Sequence, residues 1–453
     1  MKSINPANGE LIKEYQEYSP EEVKRIIDDV HEEWLAWKTT SFEERAALMH
    51  KASDILLAER DECASIITAE MGKVINESRA EVEKSALGCR FYADNAERIL
   101  KDEVIQTDFS KSFVSFHPIG PVLVVMPWNF PFWQVFRFIA PGLMAGNAGV
   151  LKHASNVMGC ALKIEEILIK AGFPKNLFRT LLIGSGQVAE VIENPKIKAV
   201  TLTGSEPAGS KVAERAGKEL KKTVLELGGS DPYVVLDDAD LEQCAKTAAI
   251  SRNLNCGQVC IAAKRFIIVE SVAEKFQELQ KKATEELVVG DPADESTQLA
   301  PMSRPDLMDE LHEQVEKSIS MGAKVLTGGK KLDRPGNYYA PTILADVKKG
   351  MPAYEEETFG PVAANIIVKD EEEAIAVAND TPFGLGASVW TRDLKKGERV
   401  AREIDSGMVF VNHMTASTPA MPFGGTKRSG YGRELSDYGI KEFVNIKSIC
   451  IQD

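Results

Sequence analysis

The chain has 453 residues, with 54 Lys and Arg against 68 Asp and Glu and a formal net charge of −14. That balance excludes a nucleic-acid footprint, which needs clustered positive charge to release counterions, and 44% hydrophobic with 27% charged content excludes disordered, collagenous and fibrous chains. Single cores stop growing at roughly 250 to 300 residues, so the length predicts two domains and a small third element.

From residue 20 to about 110 the apolar spacing of three and four predicts helices: SPEEVKRIIDDVHEEWLAWK, SFEERAALMHKASDILLAERDECASIITAEMG and INESRAEVEKSALGCRFYADNAERIL. Ser19 and Ser41, each followed by acids, mark helix starts. Residues 119–151 are apolar enough to mimic a membrane span, but Pro121, Pro127, Pro131, Pro141 and Arg137 predict a buried strand, a turn and a core helix instead. From Val122 short β-rich runs alternate with helical stretches, the pattern of a parallel sheet wound with helices. A second alternating series begins near Val234 and gives a second α/β domain. Within it, SRPDLMDELHEQVEKSISMGAKVLTGGKKLD reads as an exposed helix, a strand and a Gly-Gly turn with no chemistry. Two alternating segments, about 109–118 and the C-terminal KEFVNIKSICIQD, read as edge strands available to each other or to another chain.

Seven Cys, scattered and without a paired metal-binding pattern, point to a reducing compartment, and the first twenty residues show no secretory signal. The cytoplasm is the expected location. No metal site is predicted, since the six His are scattered and no His-Glu-x-x-His occurs.

Four positions stand out chemically. Cys260, in NCGQVC, lies where a polar glycine-containing turn opens a new element, so backbone amides are expected to lower its thiol pKa and hold an oxyanion. The other cysteines read as core, Cys256 being at most a redox partner. Glu226, before Gly228 at a domain junction, is a candidate base with a raised pKa. Asn129, held inside Pro127-Trp128-Asn129-Phe130-Pro131, is a preorganised amide donor. Gly204-Ser205 through Gly209 follows a strand and opens a helix, a diphosphate site or simply a helix start.

Taken in order, PWNFP, KHAS, LTGS with Gly209, ELGG, GQVC, EETFGP and PFGGTKRSGYGRE resemble the aldehyde dehydrogenase superfamily over the whole chain, and within it the bacterial succinate-semialdehyde dehydrogenases. The resemblance implies two doubly wound α/β domains: cofactor-binding over 1–98 and 120–227, catalytic over 228–424, with a bridging and oligomerisation element over 99–119 and 425–453. It implies Cys260 as nucleophile, Asn129 with the Cys260 N–H as oxyanion donors and Glu226 as the base for deacylation. It assigns NADP or NAD to Trp128, Lys152, Ser155, Gly204, Ser205, Gly209, Leu227, Glu357 and Phe359, and a homodimer or homotetramer as the assembly. Ser155 departs from the Glu common in relatives that prefer NAD; a neutral Ser beside Lys152 admits a 2′-phosphate, so NADP should serve at least as well as NAD.

The resemblance matches Arg137 to an arginine for the substrate carboxylate, and Phe136 and Phe138 beside it suggest a buried cation awaiting an anion. Ser417 and Thr418 match the loop that offers it a hydroxyl. A second arginine expected six residues before the nucleophile is Leu254 here, and Arg252 stands out of phase. The expected reaction is oxidation of succinate semialdehyde or a similar ω-carboxylated aldehyde. The alternatives are a dehydrogenase of neutral aldehydes, a CoA-acylating relative in which Glu226 would be superfluous, and a cofactor-free cysteine hydrolase or inactive binding protein.

Overall fold

Ser19 and Ser41 each close a capping box with the glutamate three residues on, Glu22 and Glu44, and so start α1 (Pro20–Trp37) and α2 (Phe42–Ala58). The spacing predicted one helix from 41 to 72. The computed structural model, which describes residues 1–453, breaks it at Glu59. The Glu59 carboxylate there takes Lys163 at 2.8 Å and Lys170 at 2.9 Å, and α3 (Arg60–Met71) follows. After a turn comes α4 (Ile75–Ile99), which packs on α2, α3 and α5 (Trp133–Met144).

The apolar stretch folds as predicted, into the strand Pro121–Met126, a turn, and α5, every residue of which is buried. No helix is long and apolar enough to cross a membrane. The first sheet runs in the order Gly430–Tyr431, Lys222–Glu226, Ala199–Thr203, Pro121–Met126, Ala148–His153, Phe178–Thr180. Its last five strands are parallel, and α6 (Met158–Ala171), α7 (Val188–Glu193) and α8 (Glu206–Lys218) lie between them in sequence. Strand order reverses between Pro121–Met126 and Ala199–Thr203, and a crevice at such a switch point lies beyond the carboxyl ends of the strands. The turn PWNFP leaves one of these ends and Gly204-Ser205 the other.

The second sheet has seven strands, Lys324–Thr327, Thr342–Ala345, Val362–Val368, Ala263–Val269, Asp231–Val235, Gly386–Trp390 and Met408–Val411, parallel except for the first. The two edge segments found in the sequence pair with each other: Val444–Ile451 runs antiparallel to Lys111–Pro118, with Glu103–Val104 on the other side. The stretch from 425 onward does more than bridge. Gly430–Tyr431 adds an antiparallel strand to the first sheet beside Leu225 and Glu226, and Leu435, Ile440, Phe443 and Val444 enter the core around that sheet.

Candidate active site

The loop carrying Cys260 is held in a conformation that its sequence alone would avoid. After α9 (Leu241–Asn253), Asn255, Cys256 and Gly257 have φ of 51°, 54° and 70°. Left-handed non-glycine residues cost of order 1–3 kcal/mol each and persist only where surroundings over-determine them. At Gly257 even a Cβ would strike the Gly360 carbonyl of the EETFGP run. Charged groups supply the restraint. Glu77 of α4 accepts from the Asn255 N–H at 2.9 Å, the Arg252 guanidinium donates to the Gly257 carbonyl, and the Lys264 ammonium donates to the Cys260 carbonyl at 2.6 Å and the Val259 carbonyl at 3.0 Å. Arg252, 1% exposed, is therefore a loop support and not a substitute carboxylate receptor.

Cys260 is partly buried and opens onto the main cavity, and its N–H makes no hydrogen bond within the protein. The expected lowering of its thiol pKa is reversed: burial pushes it up to about 12, against the opposing fields of Arg137 and then Lys264. Desolvation of a thiolate outweighs both cations here. Cys256 is 2% exposed and faces no solvent.

Asn129 shares the cavity wall with Cys260. Its Oδ1 accepts from Gln134 Nε2 at 3.0 Å and its Nδ2 donates to the Gln258 carbonyl at 2.9 Å, which fixes the amide and leaves one Nδ2 hydrogen for a ligand. Asn255 Nδ2 donates to the Asn129 carbonyl at 2.9 Å, tying the oxyanion turn to the nucleophile loop. Behind the turn, fully buried His153 lies 3.2 Å from the Met126 carbonyl and 2.9 Å from that of Pro131, and burial pushes its pKa down to about 4.

Glu226 ends its strand 2% exposed, with neither carboxylate oxygen hydrogen-bonded, and burial together with the neighbouring Glu434 carboxylate raises its pKa well above the usual range. Leu227 and Gly228 line the main cavity; Glu226 does not, its Oε1 lying where a side chain at Gly424 would come within 2.7 Å. Arg137 is not the uncompensated cation the sequence suggested. Its Nε lies 2.7 Å from Glu434 Oε2, its Nη2 donates to Thr203 Oγ1 at 3.3 Å, and its guanidinium sits 4.5 Å from the Phe423 ring centroid. Its charge is thus met in part by a buried carboxylate, while its Nη1 makes no hydrogen bond within the protein. It lines a separate small cavity with Glu434 and Arg433.

The main cavity, about 670 Å³, lies at the switch point between the two sheets. Trp128 and Phe359 meet edge to face on its wall at 5.9 Å. Gly204 and Ser205 line it, and the Ser205 hydroxyl does not cap α8, so the N–H groups of Glu206 and Ala208 stay free for an anion, Pro207 between them having none. Glu357 Oε1 accepts from the Gly229 N–H at 3.1 Å, with its carboxylate in the space that a side chain at Gly228 would fill. A dinucleotide fits this arrangement: free amides for its diphosphate, and an aromatic and carboxylate wall beside the thiol. Gly209, however, lies off the cavity, buried on α8 where it makes room for Leu227. Lys152 and Ser155, both partly buried, stand at and just beyond the carboxyl end of Ala148–His153, outside the main cavity, and burial lowers the Lys152 ammonium pKa.

Ser417 is engaged by Lys84 of α4 and by Trp133, whereas Thr418 is exposed and only its carbonyl is used, by Met421. The helix Pro305–Ser320 was legible in the sequence, but as an exposed helix without chemistry, and the structure sets one of its faces against the cavity. Leu307, Glu310, Leu311 and Gln314 line the cavity, and their spacing of three and four was the available signal. Arg428, paired with Glu206 at the start of α8, lines it too.

A thiol and a fixed carboxamide facing a dinucleotide crevice are the apparatus of a cysteine-dependent dehydrogenase. The chain belongs to the aldehyde dehydrogenase family, whose sequence model matches residues 1–449. It is 53% identical over 449 residues, 99% of each chain, to a probable succinate-semialdehyde dehydrogenase [NADP(+)] of Synechocystis. It is 46% identical over 452 residues, again 99% of each chain, to succinate-semialdehyde dehydrogenase [NADP(+)] 1 of Mycobacterium bovis. The crystal structure of succinic semialdehyde dehydrogenase from Streptococcus pyogenes in complex with NADP+ superposes with a TM-score of 0.98 at 39% identity, covering 100% of both chains.

Proposed function

We propose that this chain oxidises succinate semialdehyde, or a similar ω-carboxylated aldehyde, to the free acid with NADP+ as hydride acceptor. The observation that carries the chemistry is the shared wall: Cys260, Asn129 and the Gly204-Ser205 cradle face one cavity. The relatives' activities support the substrate and the cofactor.

Cys260 gives up its thiol proton to water in the cavity as its Sγ adds to the aldehyde carbon, and the oxyanion accepts hydrogen bonds from the free Nδ2–H of Asn129 and the unengaged Cys260 N–H. Ser205 and the first turn of α8 would hold the cofactor's diphosphate, with Trp128, Glu357 and Phe359 at its reactive end and Lys152 and Ser155 toward its adenosine ribose. When bound, the cofactor accepts the hydride whose loss turns the Cys260 adduct into a thioester. Glu226, its oxygens free, turns past Leu227 toward the thioester and takes the proton of the attacking water, and the Cys260 thiolate leaves. The base makes the product a free acid and disfavours the CoA-acylating alternative.

The three-stranded sheet supports an assembly of two or four copies: Val444–Ile451 keeps one free edge, and Val104 and Ile446 are 67% and 60% exposed. Seven free thiols agree with a reducing cytoplasm. The deciding experiment measures NADPH and NADH formation with ω-carboxylated and neutral aldehydes. Succinate semialdehyde should give the highest kcat/KM, with NADP+ at least as good as NAD+; a higher value with butanal, or a strong preference for NAD+, would refute the reading.

A further inference from the structure

We propose that Lys264 is a positioning residue of the oxyanion site: its ammonium, seated on the Val259 carbonyl, aims and polarises the Cys260 N–H that donates to the substrate's oxyanion. The proposal rests on the reading of Cys260 as the nucleophile toward an aldehyde. The Val259 C=O and the Cys260 N–H belong to one peptide unit, and the chain contains no cis peptide bond. In a trans unit the two point in opposite directions, so a group that fixes the carbonyl fixes the N–H as well. Lys264 Nζ donates to the Val259 carbonyl at 3.0 Å, while the Cys260 N–H, on the far side, meets no acceptor in the protein.

The ammonium does more than close a turn. The Ala262 N–H already donates to the Val259 carbonyl at 3.1 Å, which closes the chain from 259 to 262. Lys264 adds a formal charge to a carbonyl that is already bonded, and a carbonyl accepting from a cation polarises its own amide and strengthens the N–H as a donor. The other donors of the ammonium go to the Cys260 carbonyl at 2.6 Å and the Ala262 carbonyl at 3.4 Å, so all three serve this one loop. Lys264 is 1% exposed and does not line the cavity, so it reaches a substrate only through that peptide. A neutral amide would hold the loop without the cost of burying a charge.

The second oxyanion donor is braced on the same loop. The Gln258 carbonyl accepts from Asn129 Nδ2 at 2.9 Å and from Asn255 Nδ2 at 3.3 Å, so the consecutive carbonyls 258, 259 and 260 are held first by the two amides and then by Lys264. Asn129 Nδ2 and the Cys260 N–H are thereby set against one segment. The charge is balanced from behind. Glu357 Oε1 lies 3.4 Å from the ammonium, and although burial lowers the Lys264 pKa, the carboxylates of Glu357 and then Asp231 oppose that shift. Glu357 itself lines the cavity, so the ammonium ties the cofactor wall to the nucleophile's peptide.

The test compares the wild type with Lys264→Met and Lys264→Gln as full-length proteins. Two rates are read: the first turnover of NADPH formation with saturating NADP+ and succinate semialdehyde or butanal, and, without cofactor, alkylation of Cys260 by iodoacetamide, followed by mass spectrometry of its peptide. Both need the thiolate, but alkylation displaces iodide from a saturated carbon and builds no charge on oxygen. A lost thiolate-stabilising charge or a loosened loop therefore slows both alike, whereas lost oxyanion support slows only the first turnover. Lys264→Met should lower the ratio of first-turnover rate to alkylation rate by about tenfold or more with either aldehyde. Lys264→Gln, which keeps a donor without the charge, should lower it less. An unchanged ratio in Lys264→Met overturns the assignment and leaves the catalytic reading of Cys260 intact. A wild type that forms no NADPH from either aldehyde removes that reading and this assignment together. Should Lys264→Met fail to fold, by far-UV circular dichroism, Lys264→Gln decides alone by the same ratio.

Discussion

Burial disfavours the charged forms of both Cys260 and Glu226, so the site holds its nucleophile and its base where each charge is costly. That suits a site in which charge is needed only while an aldehyde is bound, because Arg137 and Lys264 already favour the thiolate once its desolvation is offset. Glu226→Gln should leave acylation in place and block deacylation. A stoichiometric burst of NADPH followed by turnover slowed by about 100-fold or more is expected in rapid-mixing experiments; a steady rate near that of the wild type would exclude Glu226 as the base. The positions legible in the sequence were those whose chemistry depends on local chain: a cysteine after a glycine turn, an amide between prolines, a carboxylate before Gly-Gly. Arg137 read as an unpaired cation because the carboxylate beside it, Glu434, lies almost at the other end of the chain.

Among the elements, α4 does the most for the site and announced it least. Its periodicity predicted a helix correctly, yet not that Glu77 would hold the nucleophile loop or that Glu81 would cap α5. Those bonds depend on how α4 lies against elements far along the chain, which spacing does not encode. The alternation of strands and helices, by contrast, was legible because each buried strand imposes its own pattern. The strand Ala148–His153 supplies a prediction for the fold. His153 has a folded pKa near 4, below the roughly 6.5 of an unfolded histidine. Its contribution is complete above that upper value and is lost as pH falls toward the lower, by about 3 kcal/mol in total. Asp231 and Glu77, both raised to about 7, act with the opposite sign, since the folded state holds their protons and gains stability as pH falls from neutral toward their unfolded values. Urea melts of the wild type and His153→Gln between pH 7 and 4 separate the two effects. The stability difference between the two proteins should shrink as pH falls; a constant difference would contradict the assignment.

For the whole molecule, the pairing of Lys111–Pro118 with Val444–Ile451 joins segments that the sequence could only identify as unpartnered. Their sheet leaves Val104 and Ile451 exposed on one face and Ile446 on the other. Ile446→Asp should convert a dimer or tetramer to a smaller species in light scattering while far-UV circular dichroism stays unchanged; a wild type that is already monomeric would refute the proposed assembly. The strand that ends in Glu226 is bordered by Gly430–Tyr431, and the carboxylate occupies room left by Gly424 beside Glu434. Substitutions between Gly424 and Glu434 should therefore tune the hydrolytic half of the cycle while the thiol and the amide donor stay as they are.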